Sequence, residues 1–216
     1  MTTSALADAA TLLPYPPQPI RLAGEVVALE PMATEHADAL AAAARDGELW
    51  RLWYTGVPKP EGIVAWIDSS LALQQKGLAL PFIVRHLPSG EIVGSTRYMN
   101  IEADRRRLEI GTTWYAKAVQ RTPLNTEAKL LLLRHAFEAL GCIAVEFRTH
   151  FFNQRSREAI AKLGAKQDGI LRQHSFAADG SLRDTVVFSI LDSEWPTVKT
   201  HLQYRLSRLQ QSGTSS

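Results

Sequence analysis

The order of elements written in this 216-residue chain, β-α-α-β-β-β-α-β-α-β-β-α, predicts an α/β (α+β) protein. It would have a mixed, mostly antiparallel sheet of six to seven strands with helices on both faces. Two observations carry that prediction. Apolar runs at 80–85, 92–98 and 107–115 are joined by short polar turns, which forces antiparallel neighbours. The stretch 107–149 then reads strand, long helix, strand, the pattern of a parallel pair with a crossover.

The elements follow in order. Residues 26–29 form a short strand. Thr34 can cap a helix to Ala44, with Ala37, Leu40 and Ala41 at helical spacing. A second helix is expected over 60–75, where Val64, Ile67 and Leu71 share a face. Pro88-Ser89-Gly90 turns the chain between two strands. The third helix is expected from Thr126 to Leu140, stopped by Gly141. A strand over 144–149 leads to a helix opening at Asn153 and ending before Gly164. Strands 169–176 and 182–190 make a hairpin around Asp179-Gly180. Asp192 can cap a last helix, 194–206. Four prolines within 1–20 favour an extended arm, 21–209 reads as one domain, and 210–216 as a polar, flexible tail.

Composition narrows the class. Hydrophobic residues at 45% and charged residues at 21% are ordinary for a globular domain that buries its own core. Cys142 is the single cysteine, so no intrachain disulfide can form, which fits a cytoplasmic setting. No metal-ligand spacing occurs, so no metal is expected. A net charge of +2 does not call for nucleic acid, and no apolar run reaches the ~18 residues of a membrane span. Arg105-Arg106-Arg107 reads as a solvated turn, with phosphate or acidic-partner contact as the other reading.

The informative segment runs from Leu108 to Lys166. Glu109-Ile110-Gly111 lies on a strand, Gln120-Arg121-Thr122-Pro123-Leu124-Asn125 precedes the long helix, and Asn153-x-x-Ser156 opens the next one. Two strand-to-helix junctions so close together suit a ligand with a pyrophosphate, because helix N-termini offer unpaired N–H groups. In this order and spacing the chain resembles the GCN5-related N-acetyltransferases, and within them the branch that acetylates ribosomal-protein N-termini. The strand at 183–190 also looks like that branch, and the resemblance covers about residues 21–195.

The resemblance implies an N-acetyltransferase that takes acetyl-CoA and a primary amine. It implies that coenzyme A lies in a gap between two splayed strands, its pyrophosphate on the loop before the long helix. By this likeness Gln120, Arg121, Thr122, Leu124, Asn125 and Thr126 would form the cradle. Asn153 would bond the pantetheine arm as well as cap its helix. Ser156 and Arg157 would adjoin the cofactor, and Trp114 or Tyr115 would supply the backbone N–H that meets charge on the carbonyl oxygen. The family loop carries glycines where this chain has Pro123 and Asn125, so one potential donor is missing. Pro123 as a stiffened turn and Asn125 as a helix cap is the plainer reading of the same residues. Arg157 reads equally as an exposed helix charge.

Amine attack on a thioester needs a proton acceptor. Glu109 is the candidate, and a structural glutamate paired with Arg148 or Arg107 is the alternative. The tyrosine that many family members use as proton donor is replaced by Ile160, which leaves Ser156 as a candidate donor or as a small packing residue. Cys142 and His150 read as packed residues. In the acceptor region Trp53 and Tyr54 would line the pocket, whereas Trp50 reads as core. A catalytically silent acyl-CoA-binding or sensing module is the competing function. A homodimer is compatible with the edge strands and with the family.

Overall fold

The structure is a computed structural model, and it describes residues 15–177 and 179–213. Most of the expected arm, residues 1–14, lies outside the described residues, as do 214–216. One eight-stranded sheet organises the rest. Its strands are β1 (Leu22–Ala23), β2 (Val27–Pro31), β3 (Ala79–His86), β4 (Ile92–Glu102), β5 (Arg107–Tyr115), β6 (Ala144–His150), β7 (Lys166–Phe176) and β8 (Leu182–Leu191). Their spatial order is β1-β2-β3-β4-β5-β6-β8-β7, and only β5–β6 is parallel. The seven expected strands are present. The eighth, β1, has only two residues, too few to leave a period in the sequence.

The helices are α1 (Ala37–Arg45), α2 (Ile63–Gln75), α3 (Leu124–Arg134), α4 (Gln154–Ala161) and α5 (Trp195–Gly213). They cover both faces. On one, Tyr98 of β4 donates its hydroxyl to the Leu132 carbonyl of α3 at 2.7 Å. On the other, the Arg97 guanidinium lies 5.7 Å from the Trp66 ring of α2. Residues 79–84 of β3 are accordingly buried without alternation, as a strand covered on both sides must be.

Several boundaries differ from expectation. Thr34 does not cap α1; residues 34–36 form a 3-10 turn in which His36 Nδ1 accepts the Ala33 N–H at 3.1 Å. Helix α3 starts at Leu124, two residues early, because Pro123 already has helical angles. Proline loses nothing there, since the first helical N–H groups have no partner within the helix. Asn125 therefore lies inside the first turn and is not a cap. Asp192 Oδ1 accepts the adjacent Ser193 N–H, and α5 runs past Leu206 to Gly213. The basic run is a turn between β4 and β5 whose members are all engaged. Arg105 pairs with Glu102, Arg106 donates to the Leu140 carbonyl, and Arg107 pairs with Glu146. No helix among the described residues is long and apolar enough to cross a membrane.

Candidate active site

The site begins where two parallel strands part. β5 and β6 stay in register for three pairs, Arg107↔Ala144, Leu108↔Val145 and Glu109↔Glu146. Beyond them β5 continues to Tyr115 and β6 to His150 without pairing, while β6 remains zipped to β8 through His150↔Thr185. β5 is diverted by a bulge against β4 at Thr112, a non-glycine residue at φ +48°. Gly94 pairs with Tyr115 just past this distortion. A Cβ there would lie 2.1 Å from the Trp114 carbonyl oxygen, so only glycine lets β4 follow the bend.

Amide direction alternates along an extended strand. Ala116 donates to the Val93 carbonyl of β4, so Trp114 faces β4 and the Tyr115 N–H faces the gap. Of the two residues, Tyr115 is the one whose N–H points into the gap. The Tyr115 carbonyl, on the same side, accepts Gln120 Nε2 at 2.9 Å.

Gln120 ties the loops at the mouth of the gap together. Its Oε1 accepts Arg155 Nη2 from α4 at 2.8 Å, a bridge that sequence reading missed because it joins residues 35 positions apart. Arg121 has φ +66°, which reverses the chain into Pro123. Thr122 Oγ1 donates to the Val119 carbonyl at 2.7 Å. Among the described residues no acceptor lies on the N–H groups of Arg121, Thr122, Asn125 and Thr126. Leu124 differs from expectation: its N–H leans on Thr122 Oγ1 at 3.4 Å, long for a hydrogen bond, and its side chain is core. The open amides and the helix dipole fit an anion despite Pro123.

On the far side of the gap Asn153 Oδ1 accepts the Ser156 N–H at 3.0 Å, the expected cap of α4. Ser156 is half-buried one turn along. Arg157 is held by its own chain: it donates to the Phe151 carbonyl and Gln154 Oε1, both at 3.3 Å, with its guanidinium 5.0 Å from the Phe151 ring. Arg155, not Arg157, reaches across to the cradle.

Glu109 stands at the root of the gap, on the sheet face that α2 covers. It is buried, and its Oε2 accepts Asn100 Nδ2 at 2.7 Å. Arg148 Nε is 3.6 Å from Oε2, but Arg148 is also bound to Glu146, which Arg107 holds at 2.6 Å. The Arg107 alternative for Glu109 is thus ruled out, and the Arg148 contact is long. Burial raises the Glu109 carboxyl above the ordinary carboxylate range, against the Asn100 hydrogen bond and the Arg148 charge. Asn100, exposed and at φ +46°, left no sequence signal.

The acceptor side is aromatic. Trp53 and Tyr54 come down from the α1–α2 connection onto His150, with ring centroids 4.9 and 6.3 Å away, and Phe152 lies 5.8 Å from both Trp53 and His150. Trp50 packs against the core, as expected. Cys142 is buried and its thiol is pushed up to about 11, which removes it as a nucleophile. Ile160 is buried, so no proton donor stands in its place.

The sequence and fold of known proteins match this geometry. A family model described as the acetyltransferase (GNAT) domain matches residues 27–166. An uncharacterized N-acetyltransferase, YoaA of Bacillus subtilis, is 25% identical over 166 residues, 76% of this chain and 92% of its own. The crystal structure of a GCN5-related N-acetyltransferase from Brucella melitensis superposes with TM-score 0.79 at 32% identity, covering 88% of this chain and 86% of that one. Mycobacterium smegmatis RimJ in complex with CoA-disulfide shares the fold, with TM-score 0.71 at 24% identity over 87% of this chain and 93% of its own. The splayed strands, the open amides before α3 and the matched domain together assign this chain to the GNAT acetyltransferase family.

Proposed function

We propose that the protein is an acetyl-CoA-dependent N-acetyltransferase acting on a primary amine, either a protein N-terminus or a small molecule. The observation that carries this reading is the open gap between β5 and β6, flanked by the unpartnered amides of Arg121, Thr122, Asn125 and Thr126 and by the capped start of α4. Acetyl-CoA would supply an activated thioester carbonyl. Gln120, Arg121, Thr122, Asn125 and Thr126 would hold its pyrophosphate, and Asn153 and Ser156 would adjoin the pantetheine arm. The Tyr115 N–H would face the charge that develops on the carbonyl oxygen.

Glu109 would accept the amine proton, directly or through water. Its raised carboxyl pKa suits it for this, since a base works best when its pKa lies near the working pH. A thiolate is a stable leaving group, so Ser156 is not required as an acid. Trp53 and Tyr54 would pack on the acceptor. The reading places the enzyme in the cytoplasm; the exposed edge strand β7 is the surface on which a homodimer would be sought by sedimentation.

Two measurements test the proposal. Acetyl-CoA at ~100 times its dissociation constant should stabilise the fold by ~2.7 kcal/mol, seen as a raised melting temperature that NAD and ATP do not produce. Thiol release should then depend on an added amine. Cofactor binding without amine-dependent release across an amine panel would leave a silent acyl-CoA-binding module.

A further inference from the structure

Strand register places a second set of groups beside Glu109. Glu109 pairs with Glu146, so alternation puts Glu146, Arg148 and His150 of β6 on its face. His150 pairs with Thr185, which adds Thr185 and Arg183 of β8. On β4, Arg97 pairs with Gly111, two residues along β5 from Glu109, and joins the same face. Arg97 and Arg183 are both half-buried and both act electrostatically on Glu109.

Neither guanidinium has a carboxylate within ion-pair distance among the described residues. Arg97 has the Trp66 ring, and Arg183 has a single hydrogen bond, Nε to Thr185 Oγ1 at 3.2 Å. The neighbouring charges, Glu146 on this face and Asp184 on the opposite face of β8, are already engaged. Arg148 and Arg107 share Glu146, and Asp184 holds Arg172 and the Gln173 N–H. A buried or half-buried guanidinium without an anion keeps most of its desolvation cost.

His150 gives an independent pointer. It is 3% exposed, and its Nδ1 accepts the Phe152 N–H at 3.1 Å. In the neutral ring, which burial and the Arg183 charge favour, the proton is then on Nε2. That atom is buried and has no partner. An N–H donor packed among Trp53, Tyr54 and Phe152, and two guanidinium groups without a carboxylate on the same sheet face, want the same thing: an anionic acceptor of hydrogen bonds.

We propose that the acceptor amine carries a carboxylate, bound by Arg183 and the His150 Nε2–H with Arg97 beside them, while its amine meets Glu109. This deepens the acetyltransferase reading and rests on it for the amine's fate. The carboxylate has two sources: the α-carboxylate of a free amino acid, or an acidic first residue of a peptide.

Two matched pairs separate these sources: leucine against leucinamide, and a dipeptide amide beginning with aspartate against one beginning with asparagine. Affinity is read by calorimetry with and without coenzyme A, and kcat/KM by thiol release. The carboxylate member of at least one pair should bind at least about tenfold more tightly, with the difference in turnover falling on KM. Arg183→Gln should erase that preference, and Arg183→Lys should restore part of it. Pairs that differ by less than about twofold, or of which no member binds, overturn the proposal. A calorimetric preference without thiol release from any amine would keep the carboxylate site and sink the enzyme reading. Release without preference would do the reverse.

Discussion

Glu109 is a carboxyl group in the wrong solvent, and its behaviour should show in both rate and stability. As a base it must be ionised, so kcat/KM should rise with pH through a carboxyl pKa above the ordinary range. Glu109→Gln should lose about 10²–10⁴-fold in kcat/KM with cofactor affinity retained, as rates and calorimetry together would show. A raised carboxyl pKa contributes stability below the ordinary carboxylate range, lost as pH rises through the folded value. Melting of Glu109→Gln should therefore improve relative to wild type as pH increases. An offset independent of pH would remove the desolvation account. Lys129 is the opposite case. It is buried on α3 with Nζ 2.7 Å from Thr113 Oγ1 and 3.3 Å from Thr96 Oγ1, and burial lowers it to about 7. Between that value and ~10.4 the unfolded chain keeps a proton that the folded chain has released, so stability should climb with pH over this window. Lys129→Met should stabilise the fold most at neutral pH, by on the order of 2–4 kcal/mol, and progressively less toward pH ~10 in denaturant titrations. Thr96 and Thr113 would keep each other, 2.8 Å apart.

At the scale of elements, α3 is the hub. Its buried Glu127 accepts three main-chain N–H groups from the β1–β2 turn: Glu25 on Oε1 at 2.8 Å, and Val26 and Val27 on Oε2 at 2.8 and 2.9 Å. Glu127→Ala would leave these donors without an acceptor beside a core strand. A loss on the order of 3–5 kcal/mol is expected in equilibrium unfolding. The neighbouring Gly24 exists to admit this carboxylate, since a Cβ there would be 2.4 Å from Glu127 Cδ. Sequence pattern locates α3 but places its start two residues late, because a proline reads locally as a stiffened turn as readily as the entry to a helix. It also assigned Asn125 a capping role that the earlier start removes. The same reasoning did find the α4 cap, since Asn153 acts through a local bond to a residue three positions on. Local chemistry is legible from the chain; contacts across elements are not.

For the whole molecule, the gap between β5 and β6 is what the sheet is arranged to hold open. Three parallel pairs close its root, the β5 bulge turns one wall, and α3 and α4 present their N-termini at its mouth, bridged by Arg155 to Gln120. Ligand seated there should slow hydrogen exchange at 121–126 and 153–157 more than in β1–β3. Equal protection everywhere would indicate general tightening with no seat at the gap.

Alternation, turn residues and helix caps carried the strand and helix order, the mixed sheet and the Asn153 cap, because each depends on neighbours a few residues away; Glu109 and Gln120 became candidates through the family resemblance. Only the tertiary structure could turn the Tyr115 N–H and not that of Trp114 toward the gap, carry Arg155 across to Gln120, give Glu109 its partner Asn100, and gather His150, Arg183 and Arg97 on one face. Those outcomes depend on strand register and burial, and both arise when distant segments pair, so no local window of residues contains them.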